Sequence, residues 1–353
     1  MDLSLKPDFD ETKERWRAYW ANEIIDRPAV WITAPKDGVE PAPAPDYLDG
    51  WDGDYHGAAE RYLAHAQTVW YGGESLPAMP CDFGPDQMAS FLGADLVRSP
   101  DSLGTTWAVP FVERWEDVLP LRIKEDAPRW QGLQEFMQTA AGVGEGHFLV
   151  RHIDMHPNID LLEAIRGGVP ICMDLIDQPE MIHAAMRDAR ALYAPVYDGL
   201  REAGNMRLGT TSWLPFFCEG RFQAMQCDFS CMVSPAMFRE FILPALEEEA
   251  AFLDHAVYHL DGPDALVHLP DLLATKGIDG IQWVPGAGRG ETMDWTDLYK
   301  HIQKAGKVQP IGGAIDGLKQ FHRDIGPEGI LYITSASSQK EGEEFLEWMV
   351  ANT

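Results

Sequence analysis

The sequence predicts an α/β protein built as a single (β/α)8 TIM barrel over residues 1–353. Eight apolar, strand-like runs alternate with helix-like segments, and eight parallel strands are the number that closes such a barrel. A long stretch rich in Pro, Gly and Asp follows the first strand, and no linker divides the chain. We therefore expect one domain with an insert, residues 36–100, that covers the mouth of the barrel.

The predicted strands are apolar runs bounded by turn residues. They lie at residues 28–34, 105–112, 146–154, 206–213, 256–262, 278–286, 307–314 and 329–336. Residues 1–26 are expected to form an N-terminal helical segment, because Trp16, Trp20 and Ile24 recur at four-residue spacing.

Two later helices have start signals in the sequence. Asp177 precedes Pro179, and Ser234 precedes Pro235, which is the pattern of an N-cap residue followed by an early helical proline. We expect a helix to begin at each of these positions.

Composition excludes several classes of partner. Acidic residues outnumber basic ones 56 to 28, and the formal net charge is −28. A surface that negative repels nucleic acid and anionic membranes, so neither is expected as a partner. No apolar run is long enough to span a membrane, and the N-terminus lacks the apolar core of a signal peptide. The five cysteines form no disulfide framework, so a cytoplasmic location is expected.

The run YHLDG places a histidine and a carboxylate at a predicted strand end. His259 and Asp261 are two residues apart and share one face of the strand, and Gly262 allows the chain to turn behind them. Active sites of such barrels lie at the C-terminal ends of the strands. The pair is therefore a candidate site, and a structural charge pair or a helix cap is the alternative.

A second group lies near the end of the third predicted strand. His152, Asp154 and His156 share one parity, and imidazole and carboxylate are standard metal ligands. A hydrogen-bonded structural histidine is the alternative at each position.

Aromatic and polar residues at the other strand ends predict a substrate pocket. Four tryptophans lie at or near strand ends, where they could line an apolar pocket or fill the barrel. The predicted substrate-binding residues are Trp31, Trp107, His152, Trp213, Phe217, Asp228, Tyr258, Gln282, Trp283 and Ser335.

Five segments, in order along most of the chain, resemble the uroporphyrinogen decarboxylase-like superfamily. They are RPAVWITAP, HIDMHPNIDLLEAIRG, QCDFSCMVSPAMFREFILPALEEE, YHLDGPDALVHL and IQWVPGAG. The resemblance implies a (β/α)8 barrel. The superfamily contains porphyrinogen decarboxylases and methyltransferases that work with cobalamin-binding corrinoid proteins.

Departures from the decarboxylase pattern favour the methyltransferase-like branch. The decarboxylases carry an arginine-rich segment after the first strand and a histidine beyond the last, where this chain reads APKDG and TSASS. The thiol-activating methyltransferases hold zinc with a His-x-Cys motif and a later cysteine. His259 matches that histidine, but Asp261 stands at the first cysteine position, and no cysteine follows Cys231.

The resemblance implies a methyltransferase or demethylase that acts on a small methylated compound, with a corrinoid protein as methyl acceptor or donor. The predicted catalytic residues are His259, Asp261, Asp154 and His156, and His259 and Asp261 are the predicted ligands of a Zn²⁺ ion. The corrinoid would be carried by a partner protein, and a homodimer is the expected assembly.

Two alternatives stay open at this point. A decarboxylase of a small organic acid would need a cationic clamp, for which Arg151, Arg166 and Arg289 are the candidates. A non-catalytic barrel that binds a ligand is the other, because a fold alone does not determine a function.

Overall fold

The computed structural model describes residues 3–98 and 104–353. The fold is mixed α/β, and its strands are β1 (Ala29–Pro35), β2 (Val69–Gly73), β3 (Ala78–Met79), β4 (Leu96–Arg98), β5 (Thr106–Ala108), β6 (Leu149–Val150), β7 (Phe222–Gln226), β8 (His255–Asp261), β9 (Gly280–Val284), β10 (Gln309–Gly312) and β11 (Ile330–Ser335).

Helices follow most of these strands. They are α1 (Phe9–Trp20), α2 (Tyr55–Ala66), α3 (Gln87–Phe91), α4 (Pro128–Val143), α5 (Asn158–Arg166), α6 (Gly168–Asp177), α7 (Pro179–Ala203), α8 (Pro235–Met237), α9 (Leu243–Phe252), α10 (Leu269–Ala274), α11 (Thr296–Lys304), α12 (Ile315–Ile325) and α13 (Gln339–Asn352). No helix in the described ranges is both long enough and apolar enough to cross a bilayer.

Parallel pairing dominates the sheets. Strands β7, β8 and β9 form one parallel sheet, and β10, β11 and β1 form another, with β2 antiparallel on the far side of β1. A single bridge between Gly280 and Val308 connects the two sheets, and β3 pairs with β6 in parallel. Within the described residues, no strand ladder joins the β3–β6 pair to β1 or to β7.

Of the predicted strands, one is absent and one is shorter than predicted and antiparallel, and two parallel strands were missed. Residues 105–112 contain only β5, which pairs antiparallel with β4. Residues 206–213 contain no strand in the structure, and Thr210 makes one isolated bridge to Cys218. The missed strands, β3 and β7, contain no β-branched residue, so they lack the usual compositional sign of a strand.

The start signals of the two helices have different outcomes. Ser234 is confirmed as an N-cap, because its Oγ accepts a hydrogen bond from the backbone N–H of Met237 at 3.3 Å. Helix α7 begins at Pro179 as predicted, but Asp177 does not cap it, because Asp177 is the last residue of α6 and Gln178 stands before α7. The N-terminal helix α1 ends at Trp20, so Ile24 lies beyond it.

The segment after β1 is more structured than its composition predicts. Residues 36–100 contain α2, β2, β3, α3 and β4, so the second parallel strand lies inside the predicted insert. Residues 99 and 100 lie outside the described part of the chain. That one domain spans residues 1–353 stays a prediction.

One face of the parallel strands packs into a single apolar cluster. Its strand residues are Ala29, Ala78, Leu149, Phe222, Ala224, Val257 and Leu331, together with Val308 just before β10. Helix α1 covers this cluster with Phe9 and Trp16, both buried. The face of β8 that carries Val257 also carries His259 and Asp261, because alternate strand residues share a face.

Candidate active site

The C-terminal ends of β7 and β8 bring together three side chains of the types that can bind a metal. Gln226 and His259 are register partners on the two strands, and Asp228 begins the 3-10 turn that follows β7. One ligand atom each of Asp228, His259 and Asp261 lies within 4.8 Å of the others. The predicted pair therefore gains a third member, which the sequence analysis had placed in the substrate pocket.

His259 is oriented by the neighbouring strand. Its Nδ1 lies 2.5 Å from Oε1 of Gln282, the residue opposite it in the register with β9. Because an amide oxygen only accepts, Nδ1 carries the proton, and Nε2 is left to bind a ligand or a metal. The ring of Trp213 meets the imidazole edge to face, with centroids 5.1 Å apart.

Asp261 is exposed and does not cap the turn that follows it. Gly262 stands at the N-cap position of the 3-10 turn Pro263–His268, with φ at 78°, and no side chain caps the turn. Within the described residues, the Asp261 carboxylate makes no hydrogen bond or ion pair. The helix-cap alternative therefore lacks its contact, and the carboxylate is available to a ligand.

A second acid–base pair lies beside this cluster. Nε2 of His156 is 3.4 Å from the Asp154 carboxylate, which also accepts a 2.7 Å hydrogen bond from Gln226 Nε2. Burial lowers the pKa of His156, but the charge and the hydrogen bond of Asp154 outweigh it and raise the pKa to about 10. His156 is therefore a buried cation at neutral pH.

Asp160, on the first turn of α5, holds the turn that carries Asp228. Its carboxylate accepts hydrogen bonds from the backbone N–H groups of Asp228 and Phe229, both at 3.0 Å. Burial and the charge of Asp228 raise the pKa of Asp160 to about 7. Sequence reasoning missed this residue, because its role depends on contact between α5 and a turn far along the chain.

Asp160→Asn is expected to destabilise the protein by about 1–2 kcal/mol, because one of the two backbone N–H groups then faces an amide NH2 group instead of a carboxylate oxygen. Asp188→Asn is the matched control, since Asp188 accepts a single backbone hydrogen bond, from Leu121, and an amide keeps one acceptor. Urea unfolding and amide hydrogen exchange at Phe229 measure the effect. Equal losses for the two variants would contradict the role of Asp160.

The end of β3 adds a further carboxylate that the sequence analysis did not select. Asp82 is buried, and Gln87 Nε2 donates to it at 2.7 Å. Burial raises the pKa of Asp82 to about 6, and the nearby Arg151 guanidinium opposes that shift. A cavity of about 500 Å³ opens beside these residues, and its lining is Asp46, Tyr47, Leu48, Pro85, Arg98, Gly104, Thr105 and Asp154.

Three other predicted residues lie on the strands β11, β1 and β5. Ser335 is the exposed last residue of β11, opposite Thr33 of β1. Trp31 is half-buried on the face of β1 that joins the apolar cluster. Trp107 is 50% exposed on the antiparallel strand β5.

Four predicted substrate-binding residues lie away from the Asp228–His259–Asp261 cluster. His152 is buried against Tyr197, and burial lowers its pKa to about 4. The prediction that His152 shares a strand face with Asp154 and His156 fails, because β6 ends at Val150. Tyr258 and Trp283 lie on the opposite strand face from His259 and Gln282. Phe217 belongs to the apolar cluster, in which it packs on Phe9.

The comparisons with known proteins support the fold. No protein-family model and no curated protein matches the chain. A solved structure described as a methyltransferase from Methanosarcina mazei is similar over 97% of this chain and 97% of that one, with a TM-score of 0.61 and 14% sequence identity. The protein therefore has the fold of that methyltransferase. Membership of the uroporphyrinogen decarboxylase-like superfamily stays a prediction.

Proposed function

We propose that the protein is an enzyme that transfers a methyl group between a small methylated compound and a corrinoid carried by a partner protein. The observation that carries the proposal is the Asp228–His259–Asp261 cluster at the ends of two parallel strands. The cluster lies where barrel enzymes keep their chemistry. The fold shared with a methyltransferase supports the reaction class.

The finer architecture is part of the same proposal. The parallel strands would follow one another around one (β/α)8 barrel of the uroporphyrinogen decarboxylase-like type, in the order β1, β3, β6, β7, β8, β9, β10 and β11. The shared apolar cluster supports this closure, since it takes residues from β1, β3, β6, β7, β8 and β11. Layers of side chains from alternate strands fill such barrels.

The donor set of the cluster fits a zinc ion. One imidazole nitrogen and two carboxylate oxygens are ordinary zinc ligands, and three protein ligands leave a position open for a substrate. Gln282 fixes the orientation of His259, as outer hydrogen bonds do for metal-binding histidines. Zinc, when bound, would act as a Lewis acid that lowers the pKa of the group at the open position.

The Asp154–His156 pair would provide a proton donor for the transfer. The protonated imidazole of His156 lies against Asp154, and Gln226 connects Asp154 to the strand position beside His259. A methyl transfer that leaves negative charge on a heteroatom is assisted by a positioned proton donor. His156 can supply that proton, while Asp154 holds the ring in place.

Metal analysis and a spectroscopic methyl-transfer assay test the proposal together. The purified full chain, loaded with zinc and dialysed, is expected to retain about one zinc per chain. Methylcobalamin is the probe, and its absorbance should change when a panel of small thiols and alcohols is offered as methyl acceptor. His259→Ala should abolish both results. Retention of no zinc together with an unchanged methylcobalamin spectrum would contradict the proposal.

A decarboxylase of a small organic acid is the second candidate, and Arg151 favours it. Within the described residues this guanidinium has no ion-pair or hydrogen-bond partner, whereas Arg166 is paired with Asp174 and Arg289 lies on an exposed loop. Release of CO2 from small acids, with no methyl transfer, would identify this activity. Binding without any turnover would identify a non-catalytic barrel.

A further inference from the structure

We propose that Arg151 binds the carboxylate of a small acid in the cavity beside Asp154, so that the methyl compound handled by the site carries a carboxylate. The claim that the methyl compound carries a carboxylate rests on the proposed function, whereas the claim that Arg151 binds a carboxylate does not. The juxtaposition that supports it is a guanidinium that is unpaired within the described residues and lies within electrostatic reach of Tyr47, which lines this cavity together with Asp154.

The backbone directs Arg151 toward the site. Its N–H donates to Met79 O at 2.9 Å, so the pairing of β6 with β3 continues to this residue. Arg151 therefore has the parity of Leu149, which belongs to the apolar cluster on the face shared with His259. The charge of the guanidinium lies within electrostatic reach of Asp82 and Tyr47, beyond the end of the β3–β6 pair.

Arg151 lacks the partners that a half-buried cation needs. Its Nε is buried and has no acceptor, and no ion pair involving Arg151 occurs within residues 3–98 and 104–353. A guanidinium carries five N–H donors, and burying a charge without a partner is costly. An anionic ligand would remove that cost, which is why an unpaired arginine at a cavity indicates an anion site.

The carboxylates of Asp82 and Asp154 have other hydrogen-bond or ion-pair partners. Asp82 accepts a hydrogen bond from the Gln87 side chain. The Asp154 carboxylate is held by Gln226 and His156. Neither forms an ion pair with Arg151, so the guanidinium keeps its donors for a ligand.

The cavity has the size and the wall chemistry for a small acid. Its volume of about 500 Å³ lies within the range of small-molecule sites. Tyr47 lines it and lies within electrostatic reach of Arg151, and the cation Arg98 is itself a lining residue. Because the chain has a net charge of −28, an anion would enter only where such local cations attract it.

A carboxylate matches the guanidinium better than a simple anion does, because the two planar groups form a pair of parallel hydrogen bonds. Asp154 borders the cavity and also contacts Gln226, which neighbours His259 across the β7–β8 pairing. A small acid held at Arg151 would therefore extend along Asp154 toward the metal-binding cluster.

Calorimetric titration of the full chain tests the inference. The probes are acetate, methoxyacetate and 4-methoxybenzoate, each paired with its uncharged amide. At least one acid is expected to bind wild-type protein about 10- to 100-fold more tightly than its amide, which is the range a charge-assisted hydrogen bond contributes. Arg151→Met should abolish this preference, and Arg151→Lys should keep part of it, because lysine retains the charge but not the fork.

Arg207→Met is the matched control, since Arg207 is exposed and lies beside the cavity lined by Leu149 and Val150, at the start of β6. This variant should bind the acid as wild type does. If no acid binds better than its amide, or if Arg207→Met loses the preference equally, the inference is overturned. The inference would also be overturned if Arg151→Met lowered the melting temperature as much as Asp82→Asn and still bound the acid more tightly than the amide. Arg151 would then only stabilise the buried charge of Asp82.

The outcome is independent of methyl transfer. Tight, Arg151-dependent binding of an acid without loss of methyl from methylcobalamin would uphold the carboxylate site and contradict the proposed reaction. Methyl transfer to neutral acceptors alone, with no preference for acids, would uphold the reaction and overturn the carboxylate site.

Discussion

Asp261→Asn is expected to lower methyl-transfer turnover and zinc retention by about 100-fold, at an unchanged melting temperature. Removing even an outer partner of a metal ligand costs 10- to 100-fold, so the loss of a direct ligand should reach the upper end. Asparagine has nearly the same shape and keeps one acceptor, so only the negative charge is lost. Metal analysis and turnover, measured beside a thermal melt, separate these effects.

The surroundings of Asp261 make the result of this substitution easier to interpret. Asp261 caps no helix, so the replacement has no turn to disturb. Asp264→Asn is the matched control, because Asp264 is exposed three residues further on and is outside the Asp228–His259–Asp261 cluster. Unchanged zinc content and turnover in Asp261→Asn would leave only a structural role for Asp261. A lowered melting temperature would mean that the residue supports the fold.

Glu249→Gln is expected to stabilise the protein at pH 9, by on the order of 3 kcal/mol, and to change little at pH 4. Glu249 is buried in α9, where Asn158 donates to one carboxylate oxygen and the other oxygen has no partner within the described residues. Burial raises its pKa from 4.5 to about 8. The unfolded chain therefore loses this proton at lower pH than the folded chain does.

That difference sets the direction of the effect. Between pH 4.5 and about 8 the unfolded state is increasingly favoured as pH rises, so the wild-type protein loses stability over this window. Glutamine does not ionise, so the loss disappears in the variant. Urea unfolding at a series of pH values measures it. Glu248→Gln, at the exposed neighbouring position paired with Arg190, should not reproduce the gain. A pH-independent difference would contradict the buried acid as its cause.

Some of the fold was predictable because it depends on local sequence. The runs that became β1, β8, β9, β10 and β11 combine apolar or β-branched residues with turn residues at both ends. Strands β3 and β7 were not predictable in this way, because they contain no β-branched residue. Ala78 and Met79 make a two-residue strand, and β7 consists of Phe, Gln, Ala and Met. Their strand conformation comes from the neighbours with which they pair.

The sequence by itself determined the shared direction of His259 and Asp261, because parity within a strand is a local property of the backbone. It did not determine the third member of the cluster. Asp228 reaches His259 because β7 and β8 pair in parallel and Asp160 holds the connecting turn, contacts that join distant parts of the chain.

The tertiary structure also decided which histidine belongs to the site. His152 and His156 have the same parity in the sequence, but β6 ends at Val150, so the alternation no longer governs where their side chains lie. Packing then buried His152 against Tyr197 and brought His156 to Asp154. Local backbone geometry follows from the order of residues in the sequence, whereas the partner of each side chain depends on how the strands and helices pack.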